Sequence, residues 1–375
     1  MMPQSVSIPP HIQKLRPYIA GKTIEEVLRA HRPPRISKLA SNENRLGCSP
    51  LANEAAIQAQ EHIMNYPDPA CLELRDRLAE LNGVKRENII AGSGSEGVMS
   101  LIIKTFFDPQ KHGREHALTA SATFIGFVVL INSRGTELRQ VPLDANFRFD
   151  LPALADAITR ETKMVYVANP NNPTGTYVTK AEFEAFMERV PAHVLVIMDE
   201  AYYEFGQRIP DCPTALDYSY DNVITLRSFS KAYGLAGYRI GYGVGHPDLI
   251  AALAKVKLPF EPGLPAQAAA VGALNDPQFI RRTLDMVESG RERLYAFLDD
   301  QNVGYVRSAS NSVMAVMKDE AQAIHLTEEM LKQGVILRRL PAFGLPHCVR
   351  ITIGLPEEMQ HFEDSFLNVF SHEQA

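Results

Sequence analysis

The stretch Val223-Ile224-Thr225-Leu226-Arg227-Ser228-Phe229-Ser230-Lys231 passes from an apolar β-branched run straight into hydroxyl side chains and a lysine. Val223–Leu226 reads as a strand buried on both faces, and the hydroxyls and lysine lie where its backbone emerges. Gly234-Leu235-Ala236-Gly237 then keeps bulk off the approach, and Arg239 returns a permanent cation to the same place. Such a set suits an amine that forms a Schiff base with an aldehyde cofactor, whose phosphate rests on hydroxyls and a guanidinium.

Met164–Ala168 and Val194–Met198 repeat the near-continuous apolar texture. From about residue 71 to 258 such runs alternate with helix-like segments, which predicts a doubly wound, mainly parallel sheet. Ser95–Phe107 is one of those helices, with Val98, Leu101, Ile102 and Phe106 at helical spacing and Asp108-Pro109 as its stop. Beyond the Pro259/Pro262/Gly263/Pro265 cluster the texture changes. A long charged amphipathic helix near 277–300 comes first. It leads to strands near 304–307 and 312–317, a helix near 320–333, and strands at 335–338 and 348–353. The expected organisation is an arm with part of a small domain in 1–40, a large domain in 41–260 and a small α+β domain in 261–375.

Composition narrows the function. The 375 residues are 45% apolar and 22% charged with net charge −6, the texture of a soluble globular protein working on small molecules rather than nucleic acid. No apolar run approaches the roughly 18 residues of a membrane span, and Met1–Ser5 does not open a secretory signal. Four cysteines without Cys-x-x-Cys spacing predict free thiols in a reducing cytoplasm and no metal centre.

Three further constellations fall at predicted strand ends. Gly92-Ser93-Gly94-Ser95-Glu96-Gly97 matches G-x-G-x-x-G between a strand and a helix. The second strand, in Ala117–Ala122, carries no acid for a ribose, so the reading that survives is an anion held at a helix N-terminus. Asn169-Pro170-Asn171-Asn172-Pro173-Thr174-Gly175 presents an amide after Met164–Ala168. Asp199-Glu200-Ala201-Tyr202 places an acid at the end of a buried strand, where it needs a cation such as a protonated ring nitrogen. Arg338 and Arg350 fall on predicted small-domain strands, where a guanidinium can grip a carboxylate or phosphate.

Together with Ser41-Asn42-Glu43-Asn44 and Tyr66-Pro67, these motifs resemble the fold-type I pyridoxal-phosphate aminotransferases over roughly residues 10 to 370. Within that group Arg16–Lys22 and Ala40–Asn44 resemble the histidinol-phosphate aminotransferases. The resemblance implies that Lys231 carries pyridoxal 5'-phosphate as a Schiff base and shuttles the substrate proton, with Asp199 and Tyr202 completing the catalytic set. It implies a cofactor site of Gly94, Ser95, Glu96, Phe124, Asn172, Ser228, Ser230 and Arg239. Tyr66 would reach the cofactor of a second subunit in a homodimer. Arg350, Arg338, Asn44 and Tyr18 would bind substrate, an amino donor or a 2-oxo acid such as 2-oxoglutarate.

Two stretches depart from the family pattern. Ser121-Ala122-Thr123-Phe124 brings a stacking ring without a hydroxyl, and Pro259-Phe260-Glu261-Pro262-Gly263 replaces an asparagine-rich link. The residues leave open transamination of an aromatic amino acid and decarboxylation of a phosphorylated one. The choice depends on which substrate bond stands perpendicular to the ring. A non-catalytic cofactor-binding module is disfavoured by the intact Lys231.

Overall fold

The computed structural model of the protein describes residues 6–17, 21–111 and 113–371. Seven strands form its large sheet: β2 (Ile89–Gly92), β3 (His116–Ala120), β4 (Glu137–Val141), β5 (Thr162–Ala168), β6 (Leu195–Asp199), β7 (Val223–Ser228) and β8 (Gly241–Gly245). Their spatial order is β2-β8-β7-β6-β5-β3-β4. Only β8 runs against its neighbours, so the expected doubly wound, mainly parallel sheet is present. β6 and β7 are buried along their whole length, and β5 at every position but Lys163. Helices cover both faces, which is why these strands read as continuous apolar runs rather than alternating ones.

Register sets the site. Ala168 pairs with Asp199, and Asp199 with Leu226, so β5 and β6 end at one level and β7 runs two residues beyond it to Ser228. Gly92 and Ser228 both pair with Gly241. The helix Gly94–Phe106 starts at that same edge, its Val98, Leu101 and Ile102 packed into the core of the sheet. The carboxyl ends of β5, β6 and β7 and a helix N-terminus therefore converge, as ligand sites in open α/β sheets do.

The small domain holds a four-stranded antiparallel sheet ordered β12-β13-β10-β9, made of β9 (Gly304–Val306), β10 (Ser312–Val316), β12 (Arg338–Leu340) and β13 (Leu345–Thr352). Helices Pro277–Asp300, Glu320–Lys332 and Pro356–Ser371 pack on it around Leu294, Leu326 and Phe362. β1 (Ser37–Lys38) pairs in parallel with β11 (Val335–Ile336), which ties the leading segment to this domain.

Two expectations are corrected. The single strand expected at 335–338 is two, because the chain changes sheets at Leu337. The expected domain boundary at 260/261 falls too early. The helix Leu264–Leu274 shares a core with Ala52 and Ala56 of helix Pro50–Ala59 and with Phe229 of the large domain. The chain crosses only at Asp276, whose side chain caps helix Pro277–Asp300 and accepts a 2.7 Å bond from Ser49 Oγ.

Candidate active site

Lys231 leaves β7 on a loop pinned at several points. Ser228 Oγ accepts from the Ser230 amide at 3.0 Å, Phe229 N–H donates to Ile240 at 3.2 Å, and Leu235 N–H returns to Phe229 at 2.9 Å. Lys231 Nζ donates to the Ser41 carbonyl at 3.4 Å and stands 5.7 Å from the centre of the Tyr202 ring. It opens into a cavity of about 220 Å³ lined also by Ser95, Glu96, Phe124, Asn172, Asp199, Tyr202, Ser228, Ser230 and Arg239. Ten of the residues foreseen for the cofactor thus share one cavity wall.

One end of this cavity is built for an anion. Arg239, itself at φ 53°, donates from Nη1 to Ser230 Oγ at 3.4 Å, and its Nη2 lies 4.0 Å from Glu96. Gly94 takes φ +80°, and a Cβ there would come within 2.9 Å of Arg239 Nη2. A Cβ on Gly241 would strike the Ser95 amide. Only glycine lets the guanidinium and the first turn of the helix approach this closely, and free amides at a helix N-terminus favour an anion.

The other end is acidic and buried. Asp199 is 4% exposed; its Oδ2 accepts from Tyr166 at 2.7 Å and its Oδ1 from the Ala201 amide at 3.1 Å. Burial raises its carboxyl to about 6, against the lowering effect of those two bonds and of Lys231. Beneath it Glu200 forms a buried ion pair with Arg227, Nη2 to Oε2 at 2.9 Å, and Arg227 also covers the Tyr203 ring at 3.4 Å. Burial works against the Arg227 cation, and the charge of Glu200 more than offsets it, so the arginine stays charged.

A second cavity of about 170 Å³ shares Phe124, Asn172, Tyr202 and Lys231 with the first and adds Arg338, Arg350, Ile125 and Phe343. Asn172 sits on both walls, and its Oδ1 accepts from Arg350 Nη1. Arg350 Nη2 donates to the Ala40 carbonyl at 2.8 Å. The loop behind Asn172 is braced by Asn171, which donates to Ala122 and Thr174 at 3.0 Å each and accepts from Thr123 at 2.9 Å.

Two foreseen residues lie elsewhere, and a third is not among the described residues. Asn44 is committed to structure: its Nδ2 donates to Ala232 O and Thr283 Oγ1, both at 2.9 Å. It lines neither cavity. The asparagine of that segment that reaches the site is Asn42, which donates to the Tyr202 phenol at 2.9 Å and accepts from Thr352 Oγ1 at 3.0 Å. Tyr66 is 79% exposed, away from this chain's own cavity, and stacks on Phe260 at 4.2 Å. Tyr18 lies outside the described residues. Sequence reading missed Tyr166 as well as Asn42. A phenol two residues before the end of a buried apolar strand was the only local signal for Tyr166.

Comparison with known proteins accords with this geometry. The family profile of aminotransferase class I and II matches residues 34–366. The histidinol-phosphate aminotransferase of Geobacillus sp. (strain WCH70) is 37% identical, covering 98% of this chain and all of its own. That of Anaeromyxobacter sp. (strain Fw109-5) is 39% identical over 94% of this chain and 95% of its own. A crystal structure of the Sinorhizobium meliloti histidinol-phosphate aminotransferase in complex with pyridoxal-5'-phosphate superposes with a TM-score of 0.88, at 29% identity over 99% of both chains. A motif-bearing cavity, a profile spanning most of the chain and near full-length relatives agree: the chain belongs to the class I and II aminotransferases.

Proposed function

We propose that the protein is a pyridoxal 5'-phosphate-dependent histidinol-phosphate:2-oxoglutarate aminotransferase working by a ping-pong cycle. The observation that carries this reading is the meeting, at Lys231, of an acid-and-anion cavity with a cavity bearing two arginines. The names of the relatives and the cofactor of the Sinorhizobium protein support it.

The residues fit the cofactor. Ser95, Ser228, Ser230, Arg239 and the glycine-cleared first turn of the helix would hold its phosphate, Phe124 would cover the ring, and Asp199 would pair with the ring nitrogen. Tyr202, oriented by Asn42, and Asn172 would meet the ring oxygen. When bound, the cofactor supplies an electron sink for the carbanion left at the α-carbon of the donor. Lys231 Nζ would take the proton from that carbon and deliver it two atoms along, to the carbon on the far side of the nitrogen, so that the nitrogen leaves the donor. Arg350 and Arg338 orient the anionic end of the substrate, and the buried walls around Tyr202 and Phe124 keep water from the exchange.

A homodimer completes the site in this reading. Tyr66, Ile63, Met64 and Leu258 are each more than half exposed, and large apolar side chains of this kind are what oligomer interfaces cover. Tyr66 would then serve the second copy's cofactor phosphate. The four unpaired cysteines accord with a cytoplasmic protein.

Apolar walls at Phe124, Ile125 and Phe343 favour one alternative, an aromatic amino acid as donor. A panel of donors with 2-oxoglutarate, including histidinol phosphate, phenylalanine and tyrosine, separates the two. Turnover of phenylalanine with none of histidinol phosphate refutes the first reading. Lys231→Ala should remove both the visible absorbance of bound cofactor and turnover.

A further inference from the structure

Tyr166 projects from β5 beside Asp199, which ends β6, and its place there is tightly determined. The side chain is wholly buried and stacks on Phe127 with ring centres 4.4 Å apart and planes 12° from parallel. Its phenol reaches the wall of the 220 Å³ cavity and donates to Asp199 Oδ2 at 2.7 Å. The other carboxylate oxygen is held by the Ala201 amide. One bond comes from the backbone of the Asp199 segment and one from a neighbouring strand, so together they fix the plane of the carboxylate.

We propose that Tyr166 is a positioning residue for the amino-transfer reaction, fixing the direction in which Asp199 presents its carboxylate to the cofactor's ring nitrogen. The proposal rests on the pyridoxal-phosphate reading above. The phenol in this place stays protonated and donates to the carboxylate: burial first, and then the charge of Asp199, push its own titration far above the ordinary value. Its bond therefore favours the ionised form of Asp199, the form a protonated ring nitrogen requires.

The other groups that act on the pair are few. Glu200, next in the chain, raises the Asp199 carboxyl, and Lys231 from the loop after β7 lowers it. Glu96 from helix Gly94–Phe106 and Tyr202 add to the rise at Tyr166. With Tyr166 removed, burial and Glu200 would be opposed only by the Ala201 amide and Lys231, and Asp199 would take up its proton at higher pH.

The test uses the cofactor-loaded protein with Tyr166→Phe, which deletes one oxygen and keeps the ring stack. Two readouts are followed from acid to neutral pH: kcat, and the visible spectrum of bound pyridoxal phosphate. The expected result is a fall in kcat on the order of 10-fold or more near pH 6.5, with KM for both substrates little changed. The acid limb of the profile and the spectral midpoint should move upward together by about one pH unit. In an Asp199→Asn background the same substitution should add nothing, because there is no longer a carboxylate to hold. Phe127→Leu, which disturbs the stack and spares the bond, should lower Tm without moving either midpoint.

Wild-type profile and spectrum in Tyr166→Phe, even with a lowered Tm, overturn the proposal. So do effects of Tyr166→Phe and Asp199→Asn that add in full. A wild-type protein that takes up no pyridoxal phosphate overturns the cofactor reading along with it, an outcome distinct from the other two.

Discussion

Arg338 on β12 and Arg350 on β13 are direct partners across an antiparallel ladder, so two guanidinium side chains rise from adjacent strands on one face of the sheet. Like charges directly opposite one another destabilise a sheet. An arrangement of this kind is compensated when an anion bridges the pair, and both arginines line the cavity that adjoins Lys231.

A phosphate-bearing substrate needs more positive charge than a single carboxylate does. Buried charge-assisted bonds contribute about 1.5–3 kcal/mol each, so Arg338→Ala should reduce kcat/KM for histidinol phosphate roughly 10- to 150-fold. The loss for phenylalanine should be much smaller. Steady-state kinetics on both donors decide it, and equal losses would make Arg338 a structural residue.

The exposed Tyr66–Phe260 stack leads to a test of assembly. Chains carrying Tyr66→Ala alone or Lys231→Ala alone should be inactive. Mixed and allowed to exchange, they should regain activity, because each heterodimer then holds one site with its own Lys231 and an intact Tyr66 from the other copy. Sedimentation should report a dimer. A monomer at working concentration, or no recovery after proven exchange, would rule out the shared site.

Glu204 sits just beyond the site with Oε2 buried and without a hydrogen-bond partner among the described residues. Burial pushes its carboxyl up to about 7, with the charge of Arg227 acting in the opposite sense. The folded chain therefore binds this proton more tightly than the unfolded chain does, and the contribution of the group to stability falls as pH rises from the ordinary carboxyl value through about 7. Glu204→Gln should be stabilising near pH 8, by up to about 3 kcal/mol, and close to neutral near pH 4.5. Urea denaturation at the two pH values measures the difference, and a gain of equal size at both would refute the assignment.

Much of this protein was settled by local sequence. Strand runs such as Val223–Leu226, the glycines and helix start at Gly92–Ser95, and the polar residues at strand ends are short-range features, each legible within about ten residues. They located Lys231, Asp199, Asn172 and Arg239 because a parallel sheet sends the residues that follow its strands to one edge.

Tertiary structure alone decided which neighbours those residues meet. Tyr166 reaches Asp199 only because of the register between β5 and β6. Asn42 rather than Asn44 orients Tyr202 because β13 brings Thr352 against it, more than 300 residues along the chain. The change of sheets at Leu337 and the crossing at Asp276 likewise depend on which surfaces the helices cover. Hydrophobic period and turn chemistry act over a few residues and select the elements. Register, domain crossing and the pairing of buried polar groups are set by contacts between distant segments, whose energies no single stretch of sequence contains.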